Sequence, residues 1–221
     1  MEAYLFRTPL TILFAGSSGA GKSQLVKRIV GRLEEVFDRP PKQIIICYGR
    51  IQTVYDEIKN AAKIPVKLVQ GLPPDLNPPP RTLLIIDDLQ EHTEIICDYF
   101  TKHSHHSDCD VIYITQNLFL KSAAHRTASL NAHVITVFKN PRDKAQVMCL
   151  ARQVSPDNPK FIMDAYRQAT LRPFGHLILN LKQDTPDYLR LRDSFFAKES
   201  HFYVDIKTGL PFDLSHISTF I

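Results

Sequence analysis

The chemistry of this sequence is most concentrated in residues 16–23, Gly-Ser-Ser-Gly-Ala-Gly-Lys-Ser. Glycines at 16, 19 and 21 let the backbone curl tightly, so that successive N–H groups point inward at phosphate oxygens. Lys22 has the reach and charge to engage the β- and γ-phosphates of a nucleoside triphosphate, and the Ser23 hydroxyl is a ligand for Mg²⁺. A helix beginning near Lys22 aims its positive end at the same anion. The spacing predicts a binding loop formed by Gly16, Ser17, Ser18, Gly19, Ala20, Gly21, Lys22, Ser23 and Gln24. Such a loop requires a strand before it and a helix after it, and the neighbouring residues supply both patterns.

A second stretch, "TLLIIDDL" at 82–89, places Asp87 at the carboxyl end of a buried strand. A carboxylate there can hold the water shell of Mg²⁺. Asp88 follows at once; it either orients and deprotonates an attacking water or caps the next helix. "VIYITQN" at 111–117 ends another strand on Gln116, which is either a sensor of the γ-phosphate or ordinary strand-end polarity. Charge developing on the γ-phosphate calls for an arginine, often from a neighbouring subunit. Arg126 and Arg142 are the first candidates and Arg152 the third. His103, His105, His106 and Cys109 have ligand chemistry, but their spacing fits no closed tetrahedral metal template, and the run reads as a polar helix end and loop.

The elements that must hold these residues alternate along the chain. Apolar runs at 11–16, 43–49, 66–71, 82–89, 111–117, 133–140 and 176–182 read as strands, with a further edge strand within 188–196. Helical spacing covers 22–37, 51–62, 91–103, 142–153 and 157–169. Prolines make 72–80 a stiff surface connection, and 118–130 reads as a polar loop. Residues 197–221 have weak periodicity and read as a tail after a motor domain at 1–196. Strands alternating with helices predict an α/β fold with a mostly parallel central sheet and helices on both faces. Ligands in such sheets bind beyond the carboxyl ends of the strands, where each of these motifs lies.

Composition sets the frame. The chain has 221 residues, 44% hydrophobic and 23% charged, enough for a sizeable packed core. It contains no apolar run long enough to span a membrane. Residues 1–16 lack the pattern of an export signal, so the four cysteines are expected to be reduced thiols in cytoplasm or nucleus. A formal charge of +4 permits contact with nucleic acid without arguing for it.

"GSSGAGKS", "LLIIDDL" and "ITQNLF", in that order, resemble the FtsK–HerA type of P-loop ATPase, of the ASCE class. The segment 126–153, with "SLNAH", "FKNPRD" and "LARQ", is more specific. It resembles the genome-packaging ATPases of Polinton/Maverick elements and adintovirus-like double-stranded DNA viruses, relatives of the poxvirus packaging ATPase; "DYLRLRDSFF" at 187–196 fits the end of that pattern. The resemblance covers residues 10–196. It implies an ATP- and Mg²⁺-dependent homo-oligomeric ring, hexameric or pentameric, in host cytoplasm or nucleus, moving double-stranded DNA through a capsid portal or vertex. It implies Lys22 and Ser23 on nucleotide and metal, Asp87 on metal, Asp88 as the catalytic acid–base where relatives often carry Glu, and Gln116 as sensor. Lys121, His125 and Arg126 are expected to face DNA. A helicase-like or DNA-remodelling ATPase of a mobile element and a nucleotide kinase-like phosphotransferase are the alternative readings.

Overall fold

The computed structural model describes residues 4–73, 77–103, 108–119 and 122–205. β1, Thr11–Ala15, is buried along its whole length and lies in the middle of a nine-stranded sheet. The other strands are β2 Gln43–Tyr48, β3 Val66–Gln70, β4 Thr82–Asp87, β5 Cys109–Thr115, β6 Val134–Phe138, β7 His176–Asn180, β8 Leu191–Arg192 and β9 Phe202–Tyr203. Their order is β3-β2-β4-β5-β1-β6-β7-β8-β9. β3 to β6 in that order are parallel; β7, β8 and β9 are added antiparallel.

Helices cover both faces, as apolar strands of a parallel sheet require. α1 (Lys22–Gly31) and α2 (Thr53–Ala61) pack Leu25, Ile29, Tyr55 and Ile58 against Ile12, Phe14, Ile46 and Ile85. α3 (Thr93–Asp98), α4 (Ala123–Leu130), α5 (Ala145–Val154) and α6 (Pro159–Ala169) cover the opposite face through Ile96, Ala128, Leu150 and Ile162. The fold is the expected α/β architecture. β5 lies between the strand that carries the glycine loop and the strand that carries the paired aspartates.

Several elements differ from the sequence reading. The helix expected over 22–37 stops at Gly31, a poor helix former, and Arg32 turns out of line. Its guanidinium bonds Glu35 at 2.6 and 2.8 Å and Glu199 at 2.6 Å, and lies 3.9 Å from the Phe196 ring centre. The polar stretch 118–130 is not all loop: the Ser122 hydroxyl accepts from the His125 N–H at 3.3 Å and starts α4. The helix expected over 91–103 is a 3₁₀ turn, α3 and a π turn at Tyr99–His103. Beyond residue 196 the chain still builds the sheet, because Phe202 and Tyr203 are buried in β9; residues 206–221 lie outside the described residues. All four cysteines are free thiols, as expected. Among the described residues no helix is long and apolar enough to cross a membrane.

At the foot of the sheet, opposite the loop end, the buried Asp110 carboxylate accepts one hydrogen bond, from the Leu10 N–H at 2.9 Å. Burial, with Asp108 and Asp38 nearby, pushes its pKa up to about 7 against the Leu10 N–H bond and, more weakly, Arg39. A folded-state pKa above the unfolded one means stability is lost as pH rises from about 4 to about 7. Asp110→Asn keeps the acceptor and removes the charge. Denaturant unfolding at pH 8 should show the variant more stable by roughly 2 kcal/mol, with the advantage gone near pH 4; equal stability at pH 8 would contradict a buried charge there.

Candidate nucleotide-binding site

β4, β5 and β1 end side by side, and their C-terminal ends are tied together. Gly16 N–H donates to the Thr115 carbonyl at 3.3 Å, and Asp88 N–H to the Ile114 carbonyl at 3.2 Å. Over these ends opens a cleft of about 480 Å³, bounded by the glycine loop, the first turn of α1, the paired aspartates and residues 174–176. Gly21 adopts φ +98°, a left-handed conformation that L side chains rarely take, and from it the chain enters α1. At Gly16 the constraint is contact: a Cβ there would lie 2.7 Å from the Phe138 Cβ.

Lys22 is buried, and its ammonium donates to the carbonyls of Gly16 and Ser17, the latter at 2.9 Å. Burial lowers its pKa, while the charges of Asp87 and Asp88 work in the other direction. Asp87 is 5% exposed; burial raises its pKa, and the Tyr55 hydroxyl, donating to Oδ2 at 2.8 Å, counters that shift. Asp88 is exposed and has φ +54°, a strained conformation for a residue other than glycine. Its carboxylate accepts from Gln116 Nε2 at 3.3 Å and from Gln90 Nε2 at 3.1 Å. The charge therefore faces the cleft instead of starting the following helix, whose first turn lacks a side-chain cap.

Ser18, Gly19, Gly21, Lys22, Ser23 and Gln24 line the cleft together with Asp87, Asp88 and Gln116. Gly16 and Ser17 lie behind it, the Gly16 carbonyl holding Lys22, and Ala20 is packed into the core under the loop. Arg142 is exposed on the rim of an adjoining cavity, next to Ser17, Ser18 and Gln116 of its own chain. Arg126 is exposed on α4 and lines neither cavity, and Arg152 is exposed on α5. His125, expected on a DNA-facing surface, is instead buried at 1% exposed, with Nε2 3.0 Å from the Leu118 carbonyl. Lys121, His105 and His106 lie outside the described residues.

Sequence reasoning missed Tyr55, Phe174 and His176, all at the cleft or bonded into it. Tyr55 reads as one more apolar helix position. Phe174 and His176 flank Gly175, where no binding motif marks them.

The donor set suits Mg²⁺. Ser23 and Asp87 offer two hard oxygen ligands on one cleft, and among the described residues no cluster of three His, Cys, Asp or Glu could cage a metal. Mg²⁺ takes one or two protein oxygens and completes its shell from phosphate and water.

No protein-family model and no curated protein matches the sequence. Solved structures similar to this chain include the genome packaging NTPase B204 from Sulfolobus turreted icosahedral virus 2, in complex with ATP-gammaS. That likeness has 16% identity over 77% of this chain and 91% of that one, with a TM-score of 0.47. Another is the Legionella pneumophila ATPase DotB, 12% identical over 76% of this chain and 54% of that one, TM-score 0.40. The likenesses are distant, so the case for a ligand rests on this chain's own loop, ammonium and carboxylates.

Tyr55 holds one oxygen of Asp87 and so aims the other. Partners behind a metal ligand typically matter by ~10-fold or more. Tyr55→Phe should therefore raise the Mg²⁺ concentration for half-maximal binding of a fluorescent ATP analogue about tenfold, without changing the fold by circular dichroism. An unchanged Mg²⁺ dependence would remove Tyr55 from the site.

Proposed function

We propose that this chain binds ATP with Mg²⁺ and hydrolyses it, as one subunit of a homo-oligomeric ring that moves double-stranded DNA into a capsid. The observation that carries hydrolysis is the pair Asp88–Gln116, an exposed carboxylate and an amide 3.3 Å apart at the strand ends beside Lys22. A kinase that hands phosphate to a bound acceptor has no need of an acid placed to activate water.

The loop amides at 16–22 receive the phosphates, with the positive end of α1 behind them. Lys22 already uses donors on the Gly16 and Ser17 carbonyls and keeps its charge within the loop for the β- and γ-phosphates. Ser23 and Asp87 would hold Mg²⁺, which would neutralise phosphate charge and fix the γ-phosphate in line. Asp88 accepts a proton from the attacking water, and Gln116 orients that water while bonded to Asp88. Arg142, beside Ser17, Ser18 and Gln116, is the better placed of the two arginines to meet negative charge on the γ-phosphate. Arg126 keeps a role only across a subunit boundary.

The segment resembling packaging ATPases supports the DNA reading. Phe138 packs against Gly16, and Asn140 and Arg142 line the cavity next to the loop, so a change at the γ-phosphate has a direct route into residues 138–143. Loss of the γ-phosphate contact would loosen the neighbouring subunit and shift whatever grips DNA.

ATPase assays with and without duplex DNA test this directly. Wild type should hydrolyse ATP, faster with duplex, and the stimulation should fade as salt rises. Lys22→Ala should lose nucleotide binding. Asp88→Asn should bind ATP within a fewfold of wild type yet hydrolyse it roughly 100-fold more slowly. Hydrolysis by Asp88→Asn at the wild-type rate, or phosphate transfer to a nucleoside monophosphate, would overturn the assignment.

A further inference from the structure

The sheet order gives the cleft two different flanks. Asp87, Asp88 and Gln116 lie at the ends of β4 and β5, on one side of β1; Phe138, Phe174 and His176 lie at β6 and β7, on the other. Four strand spacings of ~4.8 Å, roughly 19 Å in all, separate β4 from β7. An extended nucleoside triphosphate with its γ-phosphate at the acids runs past the loop towards the aromatic flank.

Two unusual residues stand there. Phe174 is 65% exposed, a large apolar side chain open to solvent, and has φ +59°. Backbone in that region persists only where its surroundings hold it. Here Gly175 N–H donates to the Arg172 carbonyl at 3.2 Å, and the Lys139 N–H donates to the Gly175 carbonyl at 2.9 Å. Phe174 also fills the space at Gly21, where a Cβ would lie 3.2 Å from its own Cβ. Its ring therefore sits beside the loop's last glycine, with a face left for a ligand.

His176 is buried, with its ring 5.1 Å from Phe138, and lines the same cleft. Nδ1 lies 3.4 Å from the Phe174 carbonyl, which can only accept, so Nδ1 carries the hydrogen. Burial lowers the pKa, against the Phe174 carbonyl and Asp193, and so favours the neutral ring. Nε2 then bears a lone pair, and it has no hydrogen-bond partner among the described residues.

We propose that Phe174 and His176 form a nucleobase subsite in which Phe174 stacks on the base and His176 Nε2 accepts a hydrogen bond from the 6-amino group of adenine. The proposal rests on the nucleotide reading above and adds the base to it. A 6-oxo purine presents an acceptor at that position and leaves Nε2 unpaired, and a site that loses such a bond discriminates strongly.

Calorimetric binding of ATP and of inosine triphosphate, each with Mg²⁺, to wild type, His176→Phe and Phe174→Ala provides the test. Wild type should prefer ATP about tenfold or more. His176→Phe should bring ATP down to the inosine triphosphate affinity and leave the latter unchanged. Phe174→Ala, an exposed substitution that spares the core, should weaken both about tenfold and keep their ratio, because stacking tolerates any base. Equal affinities in wild type, or a preference that survives in His176→Phe, would overturn the base assignment and leave the triphosphate site standing. Binding of neither triphosphate to wild type would overturn both.

Discussion

An ammonium and a carboxylate, both withdrawn from water, share one cleft. Lys22 and Asp87 are each pushed towards their neutral forms by burial, and each charge eases the other. Their remaining needs are met locally: loop carbonyls hold Lys22 and the Tyr55 hydroxyl holds Asp87. Removing either charge would leave the other buried and less compensated, which is costly in a folded interior. A phosphate anion with its metal suits both groups, because the anion answers the ammonium and the cation answers the carboxylate. The rest of the architecture serves to keep these two groups in one place.

The sheet does this through order as much as through burial. β5, between the loop strand and the aspartate strand, brings Gln116 alongside Asp88. β6 delivers Phe138 under Gly16, so the loop rests on the strand that leads into residues 139–143. β7 returns antiparallel and carries His176 to the same rim from the other side. An acidic flank and an aromatic flank thus arise on opposite sides of β1.

Much of this was legible in the residues. Consecutive apolar residues ending in two acids marked β4 and its carboxylates, and a glycine-spaced loop between an apolar run and an amphipathic helix marked the phosphate cradle. What escaped was set by tertiary contact. Tyr55 has the same helical spacing as core residues, and only the packing of α2 against β4 brings its hydroxyl to Asp87. β8 and β9 are two residues each, too short for any alternation to register. α4 was hidden because its sequence is polar and its start rests on one serine cap; His125, a plausible surface residue by composition, turns inward under it. Phe174 lies between two recognisable elements, next to Pro173 and Gly175, where no spacing marks it, and its left-handed backbone shows only in the folded chain.

The proposed site requires the ammonium of Lys22 and the carboxylate of Asp87 to close around one metal–triphosphate unit. A crystal of the protein grown with Mn²⁺ and a non-hydrolysable ATP analogue tests it most directly, because anomalous scattering locates the metal independently of the chain. One Mn²⁺ is expected at the Ser23 hydroxyl, reached by Asp87 directly or through a bound water, with phosphate density along the amides of residues 16–22. A metal site away from Ser23 and Asp87, or phosphates lying outside the glycine loop, would contradict it.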